Sequence, residues 1–166
     1  LGLDQILRYS LDSTGHVNAS ERSMTRMRPG AGPRHFCFDA DFEHCYVINE
    51  LDNTIVSFAV NNDGVFVELA IVSALPAGYQ DASYCGEIQL SDDGRFLYGS
   101  NRGHDSMVVF EVLGNGTLQW VQHIESGGMH PRHFKITPDG SHLIVANRDS
   151  SNLVVFERDT FTGKLS

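Results

Sequence analysis

The sequence predicts an all-β protein built from β-propeller blades, about three of them plus part of another. The main observation is a pattern that occurs three times. It begins as Gly32-Pro-Arg-His-Phe-Cys-Phe38, Tyr46-Val-Ile-Asn-Glu50 and Thr54-Ile-Val-Ser-Phe58. It returns as Glu87-Ile-Gln-Leu90, Phe96-Leu-Tyr-Gly-Ser-Asn-Arg102 and Ser106-Met-Val-Val-Phe110, and again as Pro131-Arg-His-Phe-Lys-Ile136, Leu143-Ile-Val-Ala-Asn-Arg148 and Asn152-Leu-Val-Val-Phe156. Asn49, Asn101 and Asn147 are spaced by 52 and 46 residues, and Phe58, Phe110 and Phe156 keep the same steps. A repeat of this length made of short β-runs is the signature of a propeller blade. The second observation is that apolar residues alternate or form short runs bounded by Gly, Asp, Asn and Pro, with almost no helical spacing.

Each repeat reads as strands A to D. In the first, A covers about 34–39, B 44–49, C 54–60 and D 65–73; in the second, A covers about 86–90, B 95–100, C 106–112 and D 118–125. The third gives A at about 132–137, B at 142–147 and C at 152–157. Asp92-Asp-Gly94 and Pro138-Asp-Gly140 supply turn chemistry between A and B, whereas the first turn, Ala40-Asp-Phe-Glu43, has no Gly. Upstream, Ile6–Leu11 and Ser20–Met27 resemble a further C and D pair. The blades therefore span about 30–73, 84–125 and 130–157, preceded by a partial blade over 1–27, all in one partial propeller domain over 1–166. Thr160 to Ser166 reads as a C–D turn and the start of another strand. Propellers hide their sheet edges by joining first and last blades. The expectation is a larger ring, completed by the remaining blades of the same protein or by a second chain.

With 166 residues the chain can bury a real core. Its net charge of −9 argues against nucleic-acid partners. It has no apolar run long enough for a membrane span or secretory signal, so no membrane partner is expected. With Arg34 opposite Asn49 in the first hairpin, Cys37 faces Tyr46 and Cys45 faces Phe38, so these sulfurs point to opposite faces and do not pair. Three free thiols, Cys37, Cys45 and Cys85, suit the cytoplasm. Two sequons, Asn18-Ala-Ser20 and Asn115-Gly-Thr117, point weakly the other way.

The start of A and the end of B lie at one end of an antiparallel hairpin, and A is the innermost strand of a blade. One mouth of the channel therefore collects Arg34, His35, Asn49 and Glu50, then Gly86, Glu87, Asn101 and Arg102, then Arg132, His133, Asn147 and Arg148. Asn at the end of B reads first as a turn-capping residue and, in the alternative, as a substrate ligand. Several arginines lining one channel repel one another and lose solvent unless anions answer them. Glu50 and Glu87 answer some of that charge, and an anionic ligand would answer the rest. Glu87 occupies the strand position held by His35 and His133. His16, His44, His104, His123 and His142 read as scattered surface residues, and Trp120 and the C-strand phenylalanines as packing. His130-Pro-Arg-His133 does not suit a metal motif, and no Gly-rich phosphate loop or Gly-x-Ser-x-Gly elbow is present. No metal and no cofactor are expected.

The repeats resemble the lactonase family of seven-bladed propellers, which includes the bacterial propeller type of 6-phosphogluconolactonase and the fungal 3-carboxy-cis,cis-muconate cyclase. Leu1-Gly-Leu-Asp4, Gly30-Ala-Gly-Pro-Arg-His35 and Tyr46-Val-Ile-Asn-Glu-Leu51 carry the resemblance at the start. Asp93-Gly-Arg-Phe-Leu-Tyr98, Ser100-Asn-Arg-Gly103, Gly128 to Phe134 and Val145-Ala-Asn147 continue it through nearly the whole chain. The resemblance implies a seven-bladed ring of which this chain covers about half. It implies catalytic roles for Arg34, Glu50 and Arg102, together with a histidine from a blade upstream of Leu1. His35, Asn49, Glu87, Asn101, Arg132 and His133 are the expected substrate-binding residues.

The implied function is a metal-independent lactonase acting on a small anionic lactone, foremost 6-phosphogluconolactone. The alternatives are a muconate-type lactonizing cycloisomerase, which takes a carboxylate substrate, and a non-enzymatic binding scaffold, because a propeller fold does not fix function. The rim discriminates between these classes, since a scaffold has no need of Arg34, Glu50 and Arg102 together.

Overall fold

The computed structural model describes residues 1–166, the side chain of Glu21 excepted. The regular elements among them are strands, as expected. β1 (Gln5–Leu11) and β2 (Val17–Arg26) form a two-stranded sheet. β3 (Pro33–Phe38), β4 (His44–Asn49), β5 (Thr54–Val60) and β6 (Phe66–Ser73) form a four-stranded antiparallel meander. β7 (Tyr84–Leu90), β8 (Phe96–Arg102), β9 (Ser106–Val112) and β10 (Leu118–Glu125) repeat it. β11 (Pro131–Ile136), β12 (His142–Asn147) and β13 (Asn152–Glu157) form a three-stranded sheet, after which the chain folds back to pair Arg158 with Leu165.

The sheets stack face to face, and each core lies between two of them. The first joins Cys45, Val47, Val56 and Phe58 to Ile6 and Met27. The second places Tyr46, Ile48 and Ile55 against Ile88, Leu97, Val108 and Phe110. The third places Phe96, Tyr98, Met107 and Val109 against Phe134, Leu143, Val145 and Phe156. The middle strands β4 and β8 are therefore apolar on both faces, and β8 is buried along its whole length. β7 packs between β3 and β11, so the first strands of these three sheets lie on a common inner side.

The turns follow the repeat. Gly94 and Gly140 take φ of 71° and 69° in the second and third A–B turns. The equivalent position in the first turn is Phe42, which adopts φ of 58° without a glycine's freedom. Asp4 ties down the segment leading into β3, its carboxylate accepting from the Gly30 and Gly32 amides at 2.7 and 2.8 Å. Those two bonds, Gly32's foremost, hold the Asp4 carboxyl below the usual carboxylate range.

All three inner strands are bulged near their start. Pro33, not Arg34, lies opposite Asn49, and pairing resumes at His35 with Ile48. β7 shifts register between Cys85 and Ile88, and β11 between Pro131 and His133. The expected Arg34–Asn49 pairing is corrected by one residue. The pairings of Cys37 with Tyr46 and Phe38 with Cys45 stand, and the three cysteines are free. A bulge bends the strand and re-aims side chains. Here the repeat delivers Arg34, Gly86–Glu87 and Arg132 at corresponding positions.

Candidate active site

Glu50 follows β4, where its backbone N–H donates to Gly32 O at 2.8 Å and its carbonyl accepts from Cys85 N. Its Oε2 receives Arg34 Nε at 3.0 Å and Arg102 Nη2 at 3.1 Å. Arg102 closes β8 and is 6% exposed. Its Nη2 also donates to Cys85 O at 2.6 Å, and its Nε to Tyr84 O at 3.2 Å. Arg34 Nη1 donates to Gly86 O at 2.7 Å. One carboxylate thus fixes two guanidiniums, and carbonyls of β7 anchor both, Arg34 from the neighbouring sheet and Arg102 from within the same sheet.

Beside this group lies a second one. Glu87, 7% exposed, accepts from His35 Nδ1 at 2.8 Å through Oε1 and contacts His133 Nε2 at 3.2 Å through Oε2. Its backbone N–H donates to Ser100 Oγ at 2.9 Å. His35 Nε2 lies 3.1 Å from Arg34 Nη1, which joins the two groups. The departure of Glu87 from the histidine pattern of the repeat has a geometric reason, because one carboxylate serves the histidines of the blades on either side.

Arg34, His35, Arg132 and His133 line one cavity of about 310 Å³ with Asn147 and Arg148. Arg148 is paired with Asp149 at 2.5 Å, whereas Arg132 makes no ion pair among the described residues. Burial pushes the Arg34 guanidinium below its ordinary range, and the positive charges of Arg102 and Arg132 act in the same direction, against Glu50 and Glu87. The guanidinium stays charged. The cavity wall is therefore a place where positive charge is held at a cost.

The asparagines do other work. Asn49 is 1% and Asn101 0% exposed. Asn49 Nδ2 donates to Thr54 Oγ1, and Asn101 Nδ2 to Ala74 O and Ser106 Oγ. These amides clip strand ends to loops and are buried beneath the rim. Only His16 of the scattered histidines is exposed. His44, His104, His123 and His142 are half-buried and hydrogen-bonded, to Asp39, Ser106, Ala74 and Ser141 in turn. Sequence reasoning missed the carbonyls of Tyr84, Cys85 and Gly86 as anchors, because main-chain acceptors leave no residue-type signal. Among the described residues, no group of three or more His, Cys, Asp or Glu is arranged to hold a metal ion.

The family model of lactonases with a seven-bladed β-propeller matches residues 1–166. The chain belongs to this lactonase family. It is 39% identical over 168 residues to a 6-phosphogluconolactonase of Bacillus subtilis, covering 100% of this chain and 47% of that one. It is 40% identical over 170 residues to a 6-phosphogluconolactonase of Formosa agariphila, covering 99% and 48%. Among solved structures it is similar to a periplasmic gluconolactonase of Pseudomonas aeruginosa, with a TM-score of 0.90 and 34% identity over 98% of this chain and 46% of that one. A protein from Lactobacillus plantarum aligns with a TM-score of 0.94 and 34% identity, over 98% and 48%. The chain spans about half the length of the curated relatives it matches. No helix among the described residues is long and apolar enough to cross a membrane.

Proposed function

We propose that this lactonase-family protein hydrolyses an anionic sugar lactone, with 6-phosphogluconolactone as the substrate. The carrying observation is the cation excess at the rim, where Glu50 bridges Arg34 and Arg102, and Arg132, on the cavity that Arg34 lines, makes no ion pair among the described residues. Hydrolysis of a lactone builds negative charge on the carbonyl oxygen, and prearranged guanidiniums stabilise that charge in a water-poor site. The same cations hold a substrate phosphate or carboxylate by charge-assisted hydrogen bonds. Glu50 keeps both guanidiniums pointed at the rim. His35, Glu87, Arg132 and His133 complete the substrate wall.

The curated relatives are about twice the length of this chain, so the activity is assigned to the complete ring, with further blades from the same protein or a second chain. The free thiols Cys37, Cys45 and Cys85 support a cytoplasmic, reducing compartment.

The test is acid release from 6-phosphogluconolactone by the full-length protein. The wild type should exceed spontaneous hydrolysis, and Arg34→Ala and Glu50→Ala should each lower kcat/KM about 10²-fold or more. A wild-type rate equal to the spontaneous one would defeat this reading and direct the assay to lactone formation from a carboxymuconate. Variants as active as the wild type would remove the assigned roles.

A further inference from the structure

A cavity of about 570 Å³ lies between the outer strands of the two four-stranded sheets, and it shares no residue with the one that Arg34 and Arg132 line. Val72 of β6, Leu75 and Pro76 of the β6–β7 connection, Phe110 of β9, and Leu118 and Trp120 of β10 give it apolar walls. Trp120 is the one tryptophan of the chain and is 58% exposed, so the packing read from the sequence does not account for it. In a regular strand, residues three apart point to opposite faces. β10 shifts register between Trp120 and Gln122, and this bulge brings His123 to the side of Trp120, their ring centroids 5.9 Å apart.

The polar side-chain atoms of the wall are already matched. Trp120 Nε1 donates to His123 Nδ1 at 2.8 Å. His123 Nε2 lies 2.9 Å from Ala74 O, and a carbonyl only accepts, so Nε2 carries the proton. The two bonds demand the same neutral tautomer. Ser73 Oγ donates to Leu75 O at 3.0 Å and accepts from Leu75 N at 3.1 Å. The lining therefore offers a guest apolar surface and an indole face, with no unpaired side-chain donor or acceptor.

We propose that this cavity binds an uncharged, flat, apolar small molecule stacked on the Trp120 indole, which His123 braces in place. The proposal is independent of the lactonase reading. The volume falls within the range of small-molecule sites, about 300–1,000 Å³. A charged or polyhydroxylated molecule would lose its water there without gaining partners. A ring system laid on the indole gains burial and stacking together, and a braced indole loses little freedom on binding. Both walls come from four-stranded sheets of this chain, so the site does not wait on further blades.

The brace responds to pH with a definite sign. A second proton on His123 sets an N–H of the ring against that of Trp120 and frees the indole. Burial holds His123 below its ordinary value of 6.5, His104 acts in the same direction, and the bond to Ala74 O opposes them. Val108, opposite it on β9, carries no charge. The His104 ring centroid, from the β8–β9 turn, is 6.4 Å away, and Tyr79 of the β6–β7 connection packs on His104 at 4.5 Å. Glu125 follows two positions on in β10. The neutral form is the one that binds, so affinity holds at neutral pH and falls as pH drops below 6.5.

The experiment titrates the full-length protein with N-phenyl-1-naphthylamine, an uncharged apolar fluorophore. The wild type should bind it one to one with a Kd below about 100 μM. Trp120→Ala should weaken binding about tenfold or more. Ala77→Glu, which sets a carboxylate on the wall, should do at least as much. Thermal unfolding midpoints of both variants control for folding. Affinity for the wild type should drop between about pH 7 and 5, and His123→Gln should remove that drop. 6-Phosphogluconate should not displace the probe. Absence of saturable binding, or binding within about twofold of wild type in both wall variants, overturns the site. Displacement by 6-phosphogluconate assigns the probe to the arginine cavity and overturns it as well. A pH drop that persists in His123→Gln overturns the brace. A dimer in sedimentation that Trp120→Ala dissolves gives the cavity to a second copy and overturns the small-molecule assignment.

Discussion

Arg102 is held by acceptors from two directions, the Glu50 carboxylate and the carbonyls of Tyr84 and Cys85. A buried guanidinium needs all of its donors answered, and a lysine cannot reproduce the fork. Arg102→Lys keeps the charge yet leaves a carbonyl of β7 bare. It should cost about 1–3 kcal/mol in urea unfolding and lower lactone hydrolysis. Cys45 offers a pH test at the same scale. It is 0% exposed, and burial, with Asp39 nearby, pushes its thiol up to about 12 from 9.0. A raised folded-state value stabilises below the unfolded value and is lost as pH rises toward the folded one. Stability should therefore fall between about pH 9 and 12, less steeply in Cys45→Val, as measured by chemical unfolding at stepped pH. The residue types at the rim were legible from the repeat. Their partners among main-chain carbonyls were not, because every residue carries the same acceptor.

At the scale of the strand, the bulges decide where the rim side chains point. A regular ladder would pair Arg34 with Asn49, whereas the observed bulge pairs Pro33 there and leaves Arg34 free to turn inward beside His35. Nothing in the alternation of apolar residues announces such a bulge, since the pattern resumes in phase within two residues. Gly86 gives the bulge of β7 its room. A Cβ there would stand 2.5 Å from Ser100 Oγ and 2.9 Å from Pro131 O, so β7 and β11 would have to part. Gly86→Ala should cost about 1–3 kcal/mol and depress activity by moving Glu87 away from His133. A crystal structure of the variant would show the lengthened Glu87–His133 distance. The asparagine repeat illustrates the opposite case. Its periodicity was plain, and its turn-capping reading describes Asn49 and Asn101 as the structure places them.

At the scale of the molecule, stability is a chain of sheet-to-sheet interfaces. Leu143, 0% exposed, belongs to the core between the second and third blades. Val47, 1% exposed, belongs to the core between the first two sheets. In a stacked architecture each unit contacts only its neighbours. Leu143→Ala should therefore cost about 2–5 kcal/mol. Combined with Val47→Ala, the two losses should add to within about 0.5 kcal/mol in calorimetric or urea unfolding. A larger coupling would mean that the sheets unfold as one inseparable unit. Tyr98 and Arg158 strengthen the later interface, with Arg158 Nε donating to Tyr98 OH at 2.6 Å and Tyr98 OH donating to Gly163 O at 2.8 Å.

The blades were readable from the chain because strand pairing within a meander is local: consecutive alternating runs and their turn residues specify an antiparallel sheet without distant information. The meeting of Arg34 and Glu50 at one end of their blade followed from hairpin geometry for the same reason, whereas Arg102 reaches Glu50 from the next sheet. The clasp of His35 and His133 on Glu87 was decided only by tertiary structure. Its members come from three sheets, and their distances depend on how far each bulge shifts its strand and how closely β7 packs between β3 and β11. The burial of Asn101 and the exposure of the His133 side chain are likewise products of packing, which decides whether a polar side chain meets a backbone carbonyl or an open cavity.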